Sequence, residues 1–243
     1  MIKRIIIAVI AAGLCAGAAR GLASTRPTIQ YFGHACFLLT TAGGARIVMD
    51  PHHKLDYPLP KVEADAVTVS HEHFDHNNAE SIKGKPVILR GLQQGGSWNG
   101  IDQSVKGVHI YNIGVYHDSV QGAQRGRNSV FVFEFDNLRL VHMGDLGHTL
   151  DAATVKKIGK VDFLLVPVGG NFTIDADDAW QVVNQINPKV VIPMHYKTGK
   201  TKDIPIQTVD GFIKGRNNVK QQPSGAVELV PPSHQEVWVF PTP

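Results

Sequence analysis

The sequence predicts one α/β domain of layered sheets and helices. Short β-runs fill the chain up to residue 142, helix–strand alternation follows, and no linker separates the two halves. With 243 residues, 43% hydrophobic and 19% charged, the chain can bury a full core within a single domain.

Taken in order, residues 28–32 and 36–40 read as strands, and Gly43-Gly44 turns the chain into a third at 46–49. Residues 66–69 form a short apolar run of the kind that makes a buried strand, ending directly at Ser70-His71. Residues 77–82 suit a short helix, and 86–89 and 108–116 further strands. An alternating run at 130–135, then Asp136-Asn137, then 138–142 is a hairpin signal. After that the rhythm changes. Residues 151–158 have helical spacing, 161–168 a buried strand, 176–186 a helix stopped by Pro188, and 190–193 another strand. Residues 226–230 and 236–240 offer two last strands among prolines.

The first 23 residues differ from the rest. Lys3 and Arg4 precede an apolar run, small residues follow, and Ala16-Gly17-Ala18 or Gly21-Leu22-Ala23 resembles a cleavage site. Residues 1–23 therefore read as a secretory signal peptide and 24–243 as one domain, exported to the periplasm or secreted. The run is interrupted by Gly13, Gly17 and Arg20 and falls short of the ~20 apolar residues of a membrane span. Membrane attachment is expected only if this segment stays uncleaved. After cleavage Cys36 is the only cysteine, so no internal disulfide forms. The formal charge of +3 lies partly in this leader, and no basic stripe with interleaved aromatics occurs, so nucleic acid is not an expected partner.

The chemistry is concentrated in His71-Glu72-His73-Phe74-Asp75-His76. In an extended segment residues i and i+2 point the same way, so His71 and His73 can aim at one point. Asp75 and His76, where the chain turns, can aim at a second point beside it. Neutral imidazole and carboxylate suit zinc, and also iron or manganese. Two metals need more ligands than these four. His117, Asp145 and His195 each stand at the C-terminal end of an apolar run, where they can converge on one rim of a sheet. Singly, each could equally be a structural histidine or a turn aspartate; their shared placement is the argument.

The HxHxDH signature, a later lone histidine, a Gly-Asp pair after a strand and a late Pro-Met-His together resemble the metallo-β-lactamase superfamily. Tyr31-Phe32-Gly33-His34, Met49-Asp50-Pro51, Gly144-Asp145-Leu146-Gly147-His148 and Pro167-Val168-Gly169-Gly170 resemble one branch of it, the metal-dependent hydrolases related to ascorbate-6-phosphate lactonase and N-acylphosphatidylethanolamine phospholipase D. The resemblance spans roughly residues 28–200. It implies a four-layer αββα metallo-β-lactamase-type sandwich with the site at the edge between two sheets. It also implies two divalent metal ions, zinc first with Mn2+ or Fe2+ as alternatives. His71, His73 and His117 would hold one, Asp75, His76 and His195 the other, with Asp145 bridging. True β-lactamases bind their second metal without this full set, so antibiotic hydrolysis is a poor expectation.

Two cations a few ångströms apart can deprotonate a bridging water, and the hydroxide then attacks a small-molecule ester, lactone or phosphodiester. Asp75 is expected to orient the nucleophile and relay its proton. His148 is the first candidate for the leaving group's proton donor; His34 and the pair His52-His53 are others, and each could instead support a ligand. Arg125 and Arg127, in the flexible stretch after His117, could clamp an anion, and Trp98 could wall the site. Two other classes compete: a metal-holding sensor or binding protein without turnover, and a redox centre. The second normally needs a flavin domain for which this chain has no room.

Overall fold

The computed structural model describes residues 26–201 and 203–243. The segment read as a signal peptide lies outside them. Among the described residues no helix is long and apolar enough to cross a membrane.

Two sheets face each other. The first has six strands: β1 (Thr28–Tyr31), β2 (Phe37–Thr40), β3 (Arg46–Met49), β4 (Glu63–Val69), β5 (Lys83–Arg90) and β13 (Ala226–Glu228), in the order β13-β1-β2-β3-β4-β5. The second has eight: β6 (Asp102–Val105), β7 (Val108–Tyr116), β8 (Arg127–Phe135), β9 (Leu138–His142), β10 (Phe163–Pro167), β11 (Val190–Met194), β12 (Val219–Gln221) and β14 (Glu236–Val239). Its order is β12-β14-β11-β10-β9-β8-β7-β6. Three helices, α1 (Ala152–Ile158), α2 (Ala176–Ile186) and the single turn α3 (Asp210–Ile213), belong to the second half of the chain.

Local sequence explains the elements. β10 and β11 pair in parallel and are buried along their whole length, as parallel strands covered on both faces are. Asp136 and Asn137 adopt φ of 49° and 60°, matching the two-residue turn that closes the β8–β9 hairpin. Asp175 caps α2 by accepting from the N–H groups of Asp177 and Asp178, and left-handed Asn187 ends it before Pro188. Ala179, Val182, Val183 and Ile186 then share one buried face at helical spacing.

The main core lies between the sheets, where Phe37, Met49, Phe131, Phe133, Leu140 and Phe163 are fully buried. A second core packs α1 and α2 on the outer face of the large sheet, through Val141, Leu164, Val166, Ile158 and Val183. A third covers the outer face of the small sheet, with Leu38, Val48 and Val67 under Ala79 and Ile82. The α/β sandwich is as the sequence predicts. Its fourth layer is thin: the helix expected over 77–82 is a three-residue 3-10 turn, Ala79–Ser81. The sequence missed β6 and β12, edge strands exposed along most of their length that carry no apolar face to read, and the four-residue α3.

Candidate metal centre

The strand ends bring the predicted residues together. β4, buried over its last four residues, delivers Ser70 and His71 directly, with His73, Asp75 and His76 on the following turn. His117 follows β7, Asp145 comes three residues after the end of β9, and His195 follows β11. The sheets are tied where the ligands emerge: Ser129 N–H donates to the Ser70 carbonyl at 3.1 Å and His195 N–H to the His34 carbonyl at 3.0 Å. Glycine permits the close approach. A Cβ on Gly169 would stand 2.1 Å from the His195 carbonyl oxygen, and one on Gly147 2.2 Å from the His117 backbone. His34, Asp50 and His195 all hold positive φ, at 55°, 42° and 52°, backbone strain of the kind that gathers at functional sites.

Asp145 is the hub. Its Oδ2 lies 3.2 Å from Nε2 of His117, 3.2 Å from Nε2 of His195 and 3.7 Å from Nε2 of His71. Its Oδ1 lies 3.2 Å from Nε2 of His76. On one side stand His71, His73 and His117; on the other Asp75, His76 and His195, joined by His34. Within each group the donor atoms lie within 4.8 Å of one another. His76 Nε2 and Asp145 Oδ1 are buried and find no well-directed hydrogen bond, a state that is unfavourable unless a further partner completes them. Imidazole nitrogens and carboxylate oxygens converging with orphaned donors suit a divalent metal ion.

A carboxylate outside the predicted set orients two of the histidines. Asp50, 1% exposed, accepts from Ser70 N–H through Oδ1 at 2.8 Å, and through Oδ2 from Ser70 Oγ at 2.5 Å and His76 Nδ1 at 2.9 Å. Ser70 Oγ in turn accepts a hydrogen bond from Nδ1–H of His71 at 2.9 Å. Both rings therefore have Nδ1–H anchored and Nε2 left as the acceptor nitrogen for the cluster. His34 supports the other side: its Nε2–H donates to Asp75 Oδ2 at 3.0 Å, and its ring lies 3.9 Å from that of His195. Burial, then His195, push His34 down to about 4, so it is a neutral donor there despite Asp75.

The sequence profile of the beta-lactamase superfamily domain matches residues 28–195, more than half of the chain. The chain belongs to this superfamily. A metal-dependent hydrolase of Pelotomaculum thermopropionicum is 33% identical over 195 residues, covering 70% of this chain and 84% of its own. One of Anaeromyxobacter dehalogenans is 31% identical, covering 84% and 85%. A crystal structure from Thermotoga maritima, assigned to the zinc-dependent hydrolases of the metallo-beta-lactamase superfamily, superposes with a TM-score of 0.73. It shares 38% identity and covers 88% of this chain and 98% of that one.

In this superfamily member the cluster opens into a cleft of about 630 Å³, lined by His73, Asp75, His117, Asp145 and His195. Its apolar walls are Phe74, Phe172, Ile204 and Pro205 rather than Trp98, whose Nε1–H donates to the carbonyls of Val115 and Asn128. His148 does not join the cluster. Its Nε2 accepts from Tyr116 N–H at 3.1 Å and its Nδ1–H donates to the Thr149 carbonyl at 2.7 Å. A ring with both nitrogens committed to backbone has no proton to give a leaving group, so its reading as general acid is withdrawn. His52 is buried beside Tyr57, and His53 is exposed; neither lines the cleft. His34 takes the supporting place that the sequence offered it as an alternative to proton donor, whereas Asp50 was visible only as a motif residue; their partners lie 41 and 26 residues away.

Proposed function

We propose that this metal-dependent hydrolase works with two divalent cations, zinc first, and cleaves an ester, lactone or phosphodiester in a small molecule. The observation that carries the reading is Asp145, whose oxygens together face both groups of histidines while Oδ1 and His76 Nε2, 3.2 Å apart, find no well-directed hydrogen bond. His71, His73 and His117 would hold one ion, Asp75, His76 and His195 the other, and Asp145 both. Such ions supply Lewis acidity and make water nucleophilic at neutral pH.

The chain's own residues do the rest. Burial alone would raise the Asp75 carboxyl, but His76 and His34 hold it well below the usual range, so it stands ionised on the cleft wall. With His34 fixing Oδ2, it can accept the proton of the attacking water. The leader-like residues 1–23 support export, with membrane attachment only if they are retained.

Cation binding should depend on pH in one direction. Burial alone would lower His76, yet Asp145 and Asp75 hold it well above the usual imidazole value, so without metal it carries a proton at neutral pH. Burial pushes His71 and His73 down, leaving them neutral. A cation beside His76 must therefore displace a proton, and that position weakens first as pH falls, while the one at His71 and His73 persists. Calorimetric titration in buffers of different ionisation enthalpy should show release of about one proton per chain at pH 7.

Turnover tests the reading itself. Metal-loaded protein assayed with bis-p-nitrophenyl phosphate, p-nitrophenyl acetate and a γ-lactone should hydrolyse at least one, and chelation should remove that activity. Metal binding without turnover on such a panel would leave a sensor or binding protein.

A further inference from the structure

We infer that Arg125 reads the substrate's charge: the ligand of this cleft is an anionic ester with an apolar substituent, and Arg125 binds its anionic group. The inference rests on the reading of the cleft as a hydrolase site and adds what it selects.

Arg125 is the cation at the mouth. The residue is half-buried and lines the same cleft as His73, Asp75 and Asp145, and its guanidinium lies 5.6 Å from the centre of the Phe172 ring. Among the described residues its guanidinium donates a hydrogen bond only to neighbouring Gln124 Oε1, at 3.4 Å. Three other arginines have partners of their own. Arg90 pairs with Glu72 and Glu80, Arg139 with Glu134, and Arg127 bonds the Gly96 carbonyl while covering Trp98. Among the described residues no carboxylate lies within ion-pair distance of Arg125. A partly desolvated guanidinium without an anion offers a fork of donors matched to a phosphate or carboxylate.

Its position is fixed by the chain. Asp118, 4% exposed and directly after His117, accepts four backbone N–H groups: Val120 and Gly122 through Oδ1, Gln124 and Arg125 through Oδ2, at 2.7–2.9 Å. The loop is folded around that carboxylate, so Arg125 is held at a set place relative to His117 rather than carried on a loose tip. An anchor prepared before the ligand arrives loses little freedom on binding.

The apolar part follows from the walls. Phe74 is 53% exposed between His73 and Asp75, and it faces the same space as Phe172, Ile204 and Pro205. The acids there leave the guanidinium uncompensated: Glu72 is taken by Arg90, and exposed Asp203 makes no ion pair with Arg125. Arg125 also lines a smaller groove with Gly95 and Gly96, at whose Cβ positions space is open. It thus stands between two recesses. A charge in the middle of the ligand, as in a phosphodiester, suits that place; a carboxylate beside a carboxylic ester would use the same guanidinium.

Equilibrium binding separates these. Calorimetry on metal-loaded protein would compare diphenylphosphinate, a tetrahedral anion with no ester bond, with diphenylacetate and with neutral methyldiphenylphosphine oxide. In R125Q the anions should weaken roughly 10- to 100-fold more than the neutral compound, the scale of a charge-assisted contact, and R125K should recover part of the loss. Metal content and thermal midpoint confirm that each variant is folded. Tighter wild-type binding of the phosphinate assigns the charge to a phosphodiester, and of the acetate to a carboxylate. Equal weakening of anions and neutral compound in R125Q, or none, would overturn the inference. Because binding needs no turnover, hydrolysis failing on every ester would sink the proposed function while leaving a positive binding result standing.

Discussion

Asp145→Ala is expected to lower kcat/KM by roughly four orders of magnitude, the scale on which loss of a group central to a catalytic constellation acts. Three nitrogens lie 3.2 Å from its oxygens, those of His117 and His195 at Oδ2 and of His76 at Oδ1. Asp145 is the carboxylate that faces both groups, one oxygen toward His76 and the other toward His117 and His195. Without it the histidines lose the anion that faces them, and each cation position loses an oxygen donor. Asp145→Asn keeps the shape but replaces an acceptor oxygen with an amide that points protons at imidazole nitrogens, so it should fail as well. The effect should also appear without substrate. Wild-type protein should gain about 4 kcal/mol on loading at free metal a thousandfold above Kd, and Asp145→Ala clearly less. Thermal unfolding with and without metal checks this; a variant stabilised as much as wild type would contradict the role given to Asp145.

Asp50→Ala should have the second largest effect, through stability as much as through the metal. The carboxylate is buried and takes three protons, from Ser70 N, Ser70 Oγ and His76 Nδ1. Removing it leaves those donors without partners in a place water does not reach. At about 1–3 kcal/mol for each unsatisfied group, partly relieved by relaxation, a loss of about 3–5 kcal/mol is expected. Metal affinity should fall roughly 10- to 100-fold, because His71 and His76 lose the contacts that set their tautomer and orientation. Asp50→Asn fits the positive φ and can still accept from Ser70, but one side-chain atom becomes a donor, so it should be intermediate. Denaturant unfolding of metal-free protein together with metal titration separates the two effects. An Asp50→Ala protein with wild-type values in both would refute the orienting role.

How much of this was legible in the sequence follows from the range of the interactions. His71, His73, Asp75 and His76 are local, and their spacing after a buried strand carries its own meaning. His117, Asp145 and His195 were legible because each ends or closely follows an apolar run, and strand ends in one sheet share a rim. The roles of Asp50 and Ser70 were not, since they arise from pairing across turns that no local pattern encodes, and His34 was legible as a possible support but not its partner Asp75. His148 misled for the opposite reason. Three residues from Asp145 in sequence, it follows a turn that commits its ring to the backbone of Tyr116 and Thr149. In the fold, the fully buried β10 and β11 announced themselves by unbroken apolar runs. The edge strands β6 and β12, held by backbone pairing to one neighbour, did not.

The most direct measurement is the metal content of the intact protein. Wild-type chain loaded with zinc at neutral pH and dialysed against metal-free buffer is expected to retain about two equivalents by elemental analysis, as one ion on each side of Asp145 requires. Retention of a single equivalent, or of none, would contradict the two-cation site.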